Sequence, residues 1–265
     1  MPRIIAVSNQ KGGVGKTTTS VNLAASLAYL GHPTLLIDMD AQGNASSGLG
    51  ISKEEAESGT ADLLLGFRDL ASVLQPTAID DLHLVPATPS LIGVEVELTQ
   101  SQNRETRLRS ALADLPDYYD FVILDCPPSL GFLTINAFTA SHSVLIPVQA
   151  EYYAMEGLGA LLQTLTQVRK ALNPYLEREG ILITMHDNRN NLCKDVESQV
   201  RELFGEEVFE TVIPRNVRLG EAPSFGKPII RYAPASTGSA AYLALAINLS
   251  ERYPSSNTTQ QGVAS

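Results

Sequence analysis

The chain contains no tryptophan and only two cysteines, Cys126 and Cys193, among 265 residues. Two cysteines cannot build a disulfide framework, and these two do not have the spacing of a metal-binding motif. The sequence therefore argues against a disulfide-stabilised secreted domain. We expect a cytoplasmic protein in which Cys126 packs in the core and takes no part in chemistry.

Long apolar runs and an excess of basic charge are also missing. No stretch of about 18 uninterrupted apolar residues occurs, and the apolar start of the chain is already interrupted at Lys11. We therefore predict neither a signal peptide nor a membrane span. The net charge is −10 and the sequence pI is near 4.9. This balance argues against a general nucleic-acid binder, so such a role would need a local basic patch.

Short apolar runs alternate with longer amphipathic segments along the chain. This pattern predicts an α/β fold, a mostly parallel twisted sheet with helices on both faces. The predicted strands are 3–8, 34–38, 82–87, 121–125, 143–148, 180–185 and 210–214, and the predicted helices are 16–30, 105–115, 155–172, 194–204 and 237–252. We expect residues 1–253 to form a single domain and the polar residues 254–265 to form a disordered tail.

A glycine-rich segment, NQKGGVGKTTT from Asn9 to Thr19, connects the first predicted strand to the first predicted helix. Its second half fits the phosphate-loop pattern G-x-x-x-x-G-K-[ST], but Gln10 stands where the first glycine belongs, and Lys11 follows it. Glycines let such a loop turn its backbone N–H groups toward phosphates, and the helix N-terminus adds a positive end. The segment therefore predicts a phosphate site that carries one lysine more than usual.

The last residues of this loop are predicted to bind the nucleotide phosphates and the metal. Lys16 would reach the β- and γ-phosphates, and the hydroxyl of Thr17 would ligate Mg²⁺. A dinucleotide-binding loop is rejected because Thr18 occupies the position of its third glycine, and because a phosphate-reaching lysine is not part of that pattern.

Three acidic residues stand at the ends of predicted strands. Asp38 and Asp40 are separated by one residue, so their side chains point the same way on an extended segment and could both face the nucleotide. The alternative is that they only form the turn before Gly43. Asp125 ends the apolar run FVILD, which has the form of a Walker B motif. Its carboxylate would hold Mg²⁺ through the water shell of the ion.

The segment KGGVGKTT resembles the deviant Walker A motif of the ParA/MinD group of P-loop ATPases, in which Lys11 would be the additional signature lysine. The resemblance is to the short chromosomal ParA or Soj type, and it extends through residues 84–91, 147–158 and 213–229. It implies an ATPase that uses ATP and Mg²⁺ and forms a homodimer when ATP is bound. In that dimer, Lys11 reaches across to the nucleotide of the partner subunit.

The resemblance also implies roles for single residues. Lys11, Lys16 and Asp40 would be catalytic, with Asp40 orienting the attacking water, while Thr17, Asp38 and Asp125 would serve the metal. The implied ATP-binding residues are Lys11, Gly12, Gly13, Val14, Gly15, Lys16, Thr17, Thr18, Pro214 and Asn216, with Met185 and Asp187 as further candidates for the adenine pocket.

The implied activity is sequence-nonspecific binding of double-stranded DNA by the dimer, which would make the protein nucleoid-associated. A ParB-type partner would stimulate hydrolysis and release the DNA. Between residues 212 and 252, five basic residues and two glutamates give a local charge of +3. Arg218, Lys227 and Arg231 are the candidates for contacts to the phosphate backbone, and ordinary surface charge is the alternative.

Other activities remain open on the same motifs. An ATPase that positions a protein cargo could share all of them, since a fold does not determine a function. A membrane ATPase of the MinD type would need an amphipathic C-terminal helix, and residues 252–265 show no apolar face. We therefore expect no membrane partner.

Overall fold

The computed structural model describes residues 2–52, 55–151 and 154–254. Seven strands form one sheet: β1 (Arg3–Val7), β2 (Thr34–Asp38), β3 (Gln75–Pro76), β4 (Leu82–Val85), β5 (Phe121–Asp125), β6 (Ser143–Gln149) and β7 (Glu177–Thr184). Their spatial order is β3-β4-β2-β5-β1-β6-β7. Only the pairing of β3 with β4 is antiparallel among the described residues. The predicted mostly parallel sheet is confirmed.

Helices connect the strands and cover both faces of the sheet. The α-helices are α1 (Lys16–Tyr29), α2 (Asn44–Gly48), α3 (Thr60–Leu65), α4 (Leu70–Val73), α5 (Leu91–Thr99), α6 (Arg107–Ala111), α7 (Phe132–Ala140), α8 (Ala154–Ala171), α9 (Asn191–Phe204), α10 (Val217–Glu221), α11 (Ile229–Tyr232) and α12 (Thr237–Arg252). Two 3₁₀ turns lie at Gly205–Glu207 and Ala222–Phe225. None of the helices in the described ranges is long and apolar enough to cross a membrane.

The alternation of side chains along the strands divides the core into two halves. In β1, Ile4 and Ala6 join the apolar cluster on one face, and Ile5 and Val7 join the cluster on the other. Helices α3, α5, α7, α8 and α9 contribute to the first cluster, and α1 and α12 contribute to the second. Because both faces are covered, these strands read as nearly continuous apolar runs.

The first helix ends as the sequence predicts. Gly31 has a φ of 85°, in the left-handed region, and its N–H donates to the carbonyl of Ala28. The next residue, His32, donates to the carbonyl of Leu27. These two bonds satisfy carbonyls at the helix end, and glycine takes up the left-handed conformation without steric cost.

Three predictions need correction or lie outside the described residues. Residues 210–214 are not a strand. Within this segment the N–H of Ile213 donates to the carbonyl of Ile183 in β7, and Pro214 forms an isolated bridge with His186 just beyond β7. The ladder does not continue, since proline has no N–H to donate. Of the helix predicted at 105–115, only α6 (Arg107–Ala111) is helical. The predicted disordered tail falls on residues 255–265, outside the described part, and the single-domain assignment of 1–253 stays a prediction.

A buried carboxylate holds the two ends of the described chain against the sheet. Glu179 in β7 accepts hydrogen bonds from the Arg3 guanidinium at 3.1 Å and from the Tyr253 hydroxyl at 3.1 Å. The hydroxyl of Ser143 donates to the same carboxylate at 2.5 Å. The guanidinium of Arg3 also lies 4.1 Å from the centroid of the Tyr253 ring. The start of β1 and the end of α12 therefore meet at the edge of the sheet where the parallel strands begin.

We predict that Glu179→Gln lowers the free energy of unfolding by about 2–4 kcal/mol, because it leaves buried donors without a charged acceptor. Urea denaturation at neutral pH measures this. Glu177→Gln is the matched control, since Glu177 also lies near Arg3 but its side chain is 67% exposed. The control should cost less than about 0.5 kcal/mol. Equal losses in the two variants would show that burial of Glu179 does not matter.

Candidate functional site

The glycine-rich loop between β1 and α1 has the backbone shape of a phosphate-binding turn. Gly13 and Gly15 have φ values of 76° and 85°, which other residues adopt only with strain. A Cβ at Gly12 would meet nothing within 4 Å, so packing within the chain does not require glycine there. Gly15 precedes α1 and no side chain caps this helix. The first N–H groups of α1 are therefore available to an anion.

Two side chains that the sequence analysis missed fix this loop in place. The amide of Asn9 donates to the carbonyl of Pro147 in β6 at 2.7 Å, and its oxygen accepts from the N–H of Lys11 at 3.0 Å. On the other side, the hydroxyl of Thr184 in β7 donates to the carbonyl of Val14 at 2.8 Å. A polar residue at each strand end is the only sequence signal for these anchors.

Lys16 is directed into the loop. The residue is only 7% exposed, and its ammonium donates to the carbonyl of Lys11 at 3.1 Å. Burial lowers the pKa of Lys16, and the nearby carboxylates of Asp125 and Asp40 oppose this shift. A buried ammonium beside the glycine loop is chemically suited to phosphate oxygens, and its role in binding them stays a prediction.

Asp125 offers a ligand position for a cation. Its Oδ1 accepts from the Ser20 hydroxyl at 2.8 Å, and the Thr17 hydroxyl also hydrogen-bonds to this carboxylate. Its Oδ2 is buried and has no hydrogen-bond partner among the described residues. Burial, and then the charge of Asp38, raise the pKa of Asp125 to about 8. An orphaned carboxylate oxygen beside a threonine hydroxyl fits the oxygen ligands that Mg²⁺ prefers.

Asp38 shapes the loop that follows β2. Its Oδ2 accepts from the N–H and the hydroxyl of Ser46 at 2.8 and 2.7 Å, and its Oδ1 accepts from the N–H of Asp40 at 3.2 Å. These bonds hold the first turn of α2. Burial raises the pKa of Asp38 to about 6. Asp38 therefore supports the geometry of this loop, whereas a direct role in holding metal stays a prediction.

Asp40 lies in the turn that follows β2, close to Lys16 and Asp125. Its Oδ1 accepts from the N–H of Gln42 at 2.9 Å, so the turn-forming role that the sequence left open is present. The residue is half-buried, and its charge acts on the pKa of both Lys16 and Asp125. Asp40 is therefore part of the same electrostatic cluster as the loop lysine and the Walker B carboxylate.

A cavity of about 230 Å³ opens beside the loop. Its lining residues are Gly15, Thr18, Thr184, Met185, Ile213, Pro214, Arg215, Asn216, Leu219, Gly220 and Tyr242. Three of the four predicted adenine-pocket residues, Met185, Pro214 and Asn216, are thus brought together next to the phosphate loop. The side chain of Asn216, however, caps α10 by accepting from the N–H of Arg218.

Two features of this cavity were not expected. Asp187 is not one of its lining residues, and its carboxylate forms a two-bond ion pair with Arg189. Met185 has a φ of 51°, a left-handed conformation that is uncommon for a residue with a side chain and that often occurs at functional sites. The turn after β7 is therefore shaped for this pocket.

The three predicted DNA-binding residues lie in different surroundings. Lys227 and Arg231 line the same cavity of about 260 Å³. Arg218 lies on α10, where its guanidinium pairs with Glu221 at 2.8 Å, and Glu221 also accepts from the Tyr232 hydroxyl. Arg252 donates to the carbonyl of Glu179 at the opposite end of the molecule. Arg252 is therefore engaged away from the other basic residues of this segment, and the charge of Arg218 is partly offset by Glu221.

The segment that carries Lys227 is attached closely to the site. A Cβ on Gly226 would lie 2.6 Å from the Cα of Gly50 at the end of α2, so the two backbones leave no room for a side chain. The N–H of Ile229 donates to the side chain of Asn22 in α1 at 2.7 Å. Both helices that start at the nucleotide loops therefore contact the basic segment.

The parallel sheet, the glycine loop with its buried lysine and the Walker B carboxylate define the class of this protein. It is a P-loop protein with the deviant Walker A loop of the ParA/MinD group. A family model described as an AAA domain (AAA_31) matches residues 2–178.

Comparison with known proteins narrows this class. The chain is 56% identical over 250 residues to the chromosome partitioning protein ParA of Myxococcus xanthus. The aligned region covers 94% of this chain and 88% of the relative. The chain is 55% identical over 246 residues to the sporulation initiation inhibitor protein Soj of Bacillus subtilis, covering 93% and 97%. The chain belongs to the ParA/Soj family of chromosome-partitioning proteins.

A solved structure with the same fold carries another name. It is a cobyrinic acid a,c-diamide synthase from Mycobacterium smegmatis with bound ADP and magnesium, with a TM-score of 0.84 and 36% identity. The match covers 96% of each chain. The fold found here is therefore one in which a solved relative holds a nucleotide and magnesium.

We predict that Asp125→Asn weakens the dependence of nucleotide binding on Mg²⁺. The amide keeps a contact with Ser20 but removes the negative charge, so the apparent affinity for Mg²⁺ should fall about tenfold or more. Thermal unfolding in ATP across a magnesium titration measures this. Without magnesium the variant should unfold no earlier than the wild type, because burial disfavours the charged form of Asp125 and the amide carries no charge. Asp117→Asn, at an exposed position, is the control, and an unchanged magnesium titration for Asp125→Asn would contradict the assignment.

Proposed function

We propose that this protein is an ATPase that partitions DNA. ATP binding drives two subunits into a face-to-face dimer, the dimer binds double-stranded DNA without sequence preference, and a ParB-type partner stimulates hydrolysis to release it. The named relatives support the partitioning role. The protein would act in the cytoplasm on the nucleoid, with no membrane partner.

Each residue of the site has a separate role in this proposal. The N–H groups at the start of α1 and the ammonium of Lys16 bind the phosphates, and Thr17 and Asp125 hold Mg²⁺. Bound Mg²⁺ supplies positive charge next to the phosphate oxygens. Asp40 orients the attacking water, and Met185 and Pro214 enclose the adenine. The solved relative with bound ADP and magnesium supports the binding of a nucleotide and Mg²⁺ by this fold.

The different placement of the two loop lysines is the observation that carries the dimer proposal. Lys16 is buried and points into its own loop, whereas the side chain of Lys11 is 31% exposed on the rim. One subunit therefore has a buried cation for its own phosphates and a second, partly exposed cation at the rim of the loop. A cation supplied by a partner stabilises charge on the transferred phosphoryl group and makes dimerisation depend on the γ-phosphate.

Sequence identity favours the partitioning role over the synthase name of the solved structure. The ParA and Soj relatives are 56% and 55% identical to this chain, and the structure with the synthase name is 36% identical. The basic residues on α10, α11 and the turn before α11 favour DNA over a protein cargo as the bound surface.

We predict that Lys11→Ala keeps nucleotide binding by the monomer but weakens ATP-driven dimerisation at least about tenfold, because each dimer loses two cations from its interface. Analytical ultracentrifugation with ATP and Mg²⁺ measures the dimer. Lys170→Ala, which removes an exposed lysine at the end of α8, should dimerise like the wild type. A normal dimer from Lys11→Ala would rule out the lysine in trans.

We predict that Arg218→Glu weakens ATP-dependent binding to a nonspecific duplex and lowers the slope of log affinity against log salt by about 2, for one phosphate contact per subunit. ATPase turnover without DNA should not change. Arg68→Glu makes the same charge change at an exposed position outside the basic segment and serves as the control. An unchanged salt slope for Arg218→Glu would exclude this arginine from the DNA contact.

A further inference from the structure

The amine of Lys11 already has a partner within its own chain. It donates to the Oε2 of Glu151 at 3.2 Å, and the side chains of the two residues are 31% and 52% exposed. The other carboxylate oxygen of Glu151 accepts from the amide of Gln149 at 2.6 Å. The carboxylate is therefore held from one side by Gln149 while it faces the lysine on the other.

Backbone contacts bring this pair together. Asn9 connects the N–H of Lys11 to Pro147 in β6, and Glu151 stands two residues beyond the end of that strand. The N–H of Glu151 donates to the carbonyl of Gln149 at 2.8 Å in a tight turn. Gly157 in α8 approaches from a third side, where a Cβ would lie 3.6 Å from the Cβ of Lys11. The lysine and the glutamate therefore face each other from anchored backbones.

We propose that Glu151 is a positioning residue that holds Lys11 in cis in the free monomer, and that this ion pair must break before Lys11 can reach the nucleotide of a partner subunit. The inference rests on the proposed function, in which Lys11 acts in trans. The ammonium directed at Glu151 is the same one that the dimer needs. The ion pair thus competes with dimerisation and raises the dimer dissociation constant of the ATP-bound protein.

Two such pairs are lost for each dimer, so the effect is counted twice. An exposed ion pair changes an equilibrium by about 2.3-fold on its own, and two of them change the dimer dissociation constant by about fivefold. The pair is also screened by salt because both groups are exposed. Removing Glu151 should therefore tighten the dimer at low salt and matter much less at high salt.

The test measures dimer dissociation constants by ultracentrifugation in Mg²⁺ and the non-hydrolysable analogue adenylyl imidodiphosphate, at low and high salt. We expect Glu151→Gln to dimerise about fivefold more tightly than the wild type at low salt, with the two converging at high salt. Glu151→Asp, which keeps the charge, should lie between them. Glu206→Gln makes the same charge change in the 3₁₀ turn at Gly205–Glu207 and should behave like the wild type.

The double variant separates the ion pair from other effects of position 151. In a Lys11→Ala background, Glu151→Gln should no longer tighten the dimer, because its partner is gone. The proposal is overturned if Glu151→Gln dimerises like the wild type or more weakly, or if it tightens the dimer equally without Lys11. A Lys11→Ala variant that dimerises normally would instead remove the proposed function itself, and the proposed role of the ion pair with it.

Discussion

Lys16, Asp38 and Asp125 are buried together where the parallel strands end, and the site is arranged around the electrostatic cost of that burial. Ser46 supplies hydrogen bonds to Asp38, and Ser20 supplies one to Asp125. These bonds satisfy the first carboxylate but leave one oxygen of the second without a partner among the described residues. The remaining negative charge beside the glycine loop is what a bound cation would neutralise. Rigid anchors are needed because small shifts of buried charges change their energies strongly.

The fold was largely predictable because the strands are buried on both faces. The run FVILD at 121–125 reads as a strand and is one, with neighbours on both sides. The similar run ETVIP at 210–214 is not, although Ile213 packs in the core. The two runs differ locally, because the second contains Glu210 and Thr211 and ends in a proline. They also differ in tertiary position, because FVILD has a strand on each side, whereas the second run lies next to β7, the edge strand of the sheet.

The phosphate loop was predictable from sequence because its chemistry depends on adjacent residues. The adenine cavity could be predicted only in part. The resemblance placed Pro214 and Met185 in this cavity, where they are found. It also suggested Asp187, which pairs with Arg189 and does not line the cavity. The anchors Asn9 and Thr184 and the pairing of Lys11 with Glu151 join residues far apart in the chain. Such contacts depend on which strands are neighbours, and that information comes only with the folded topology.

The cluster around Glu179 has a practical consequence for work on this protein. Arg3 and Tyr253 are in contact, so the first and last elements of the described chain meet at the edge of the sheet opposite the phosphate loop. A fluorescent reporter joined after residue 253 would leave from that far edge. The same proximity would let a short linker join residue 253 to residue 3 in a circularly permuted variant whose new termini open in a surface loop.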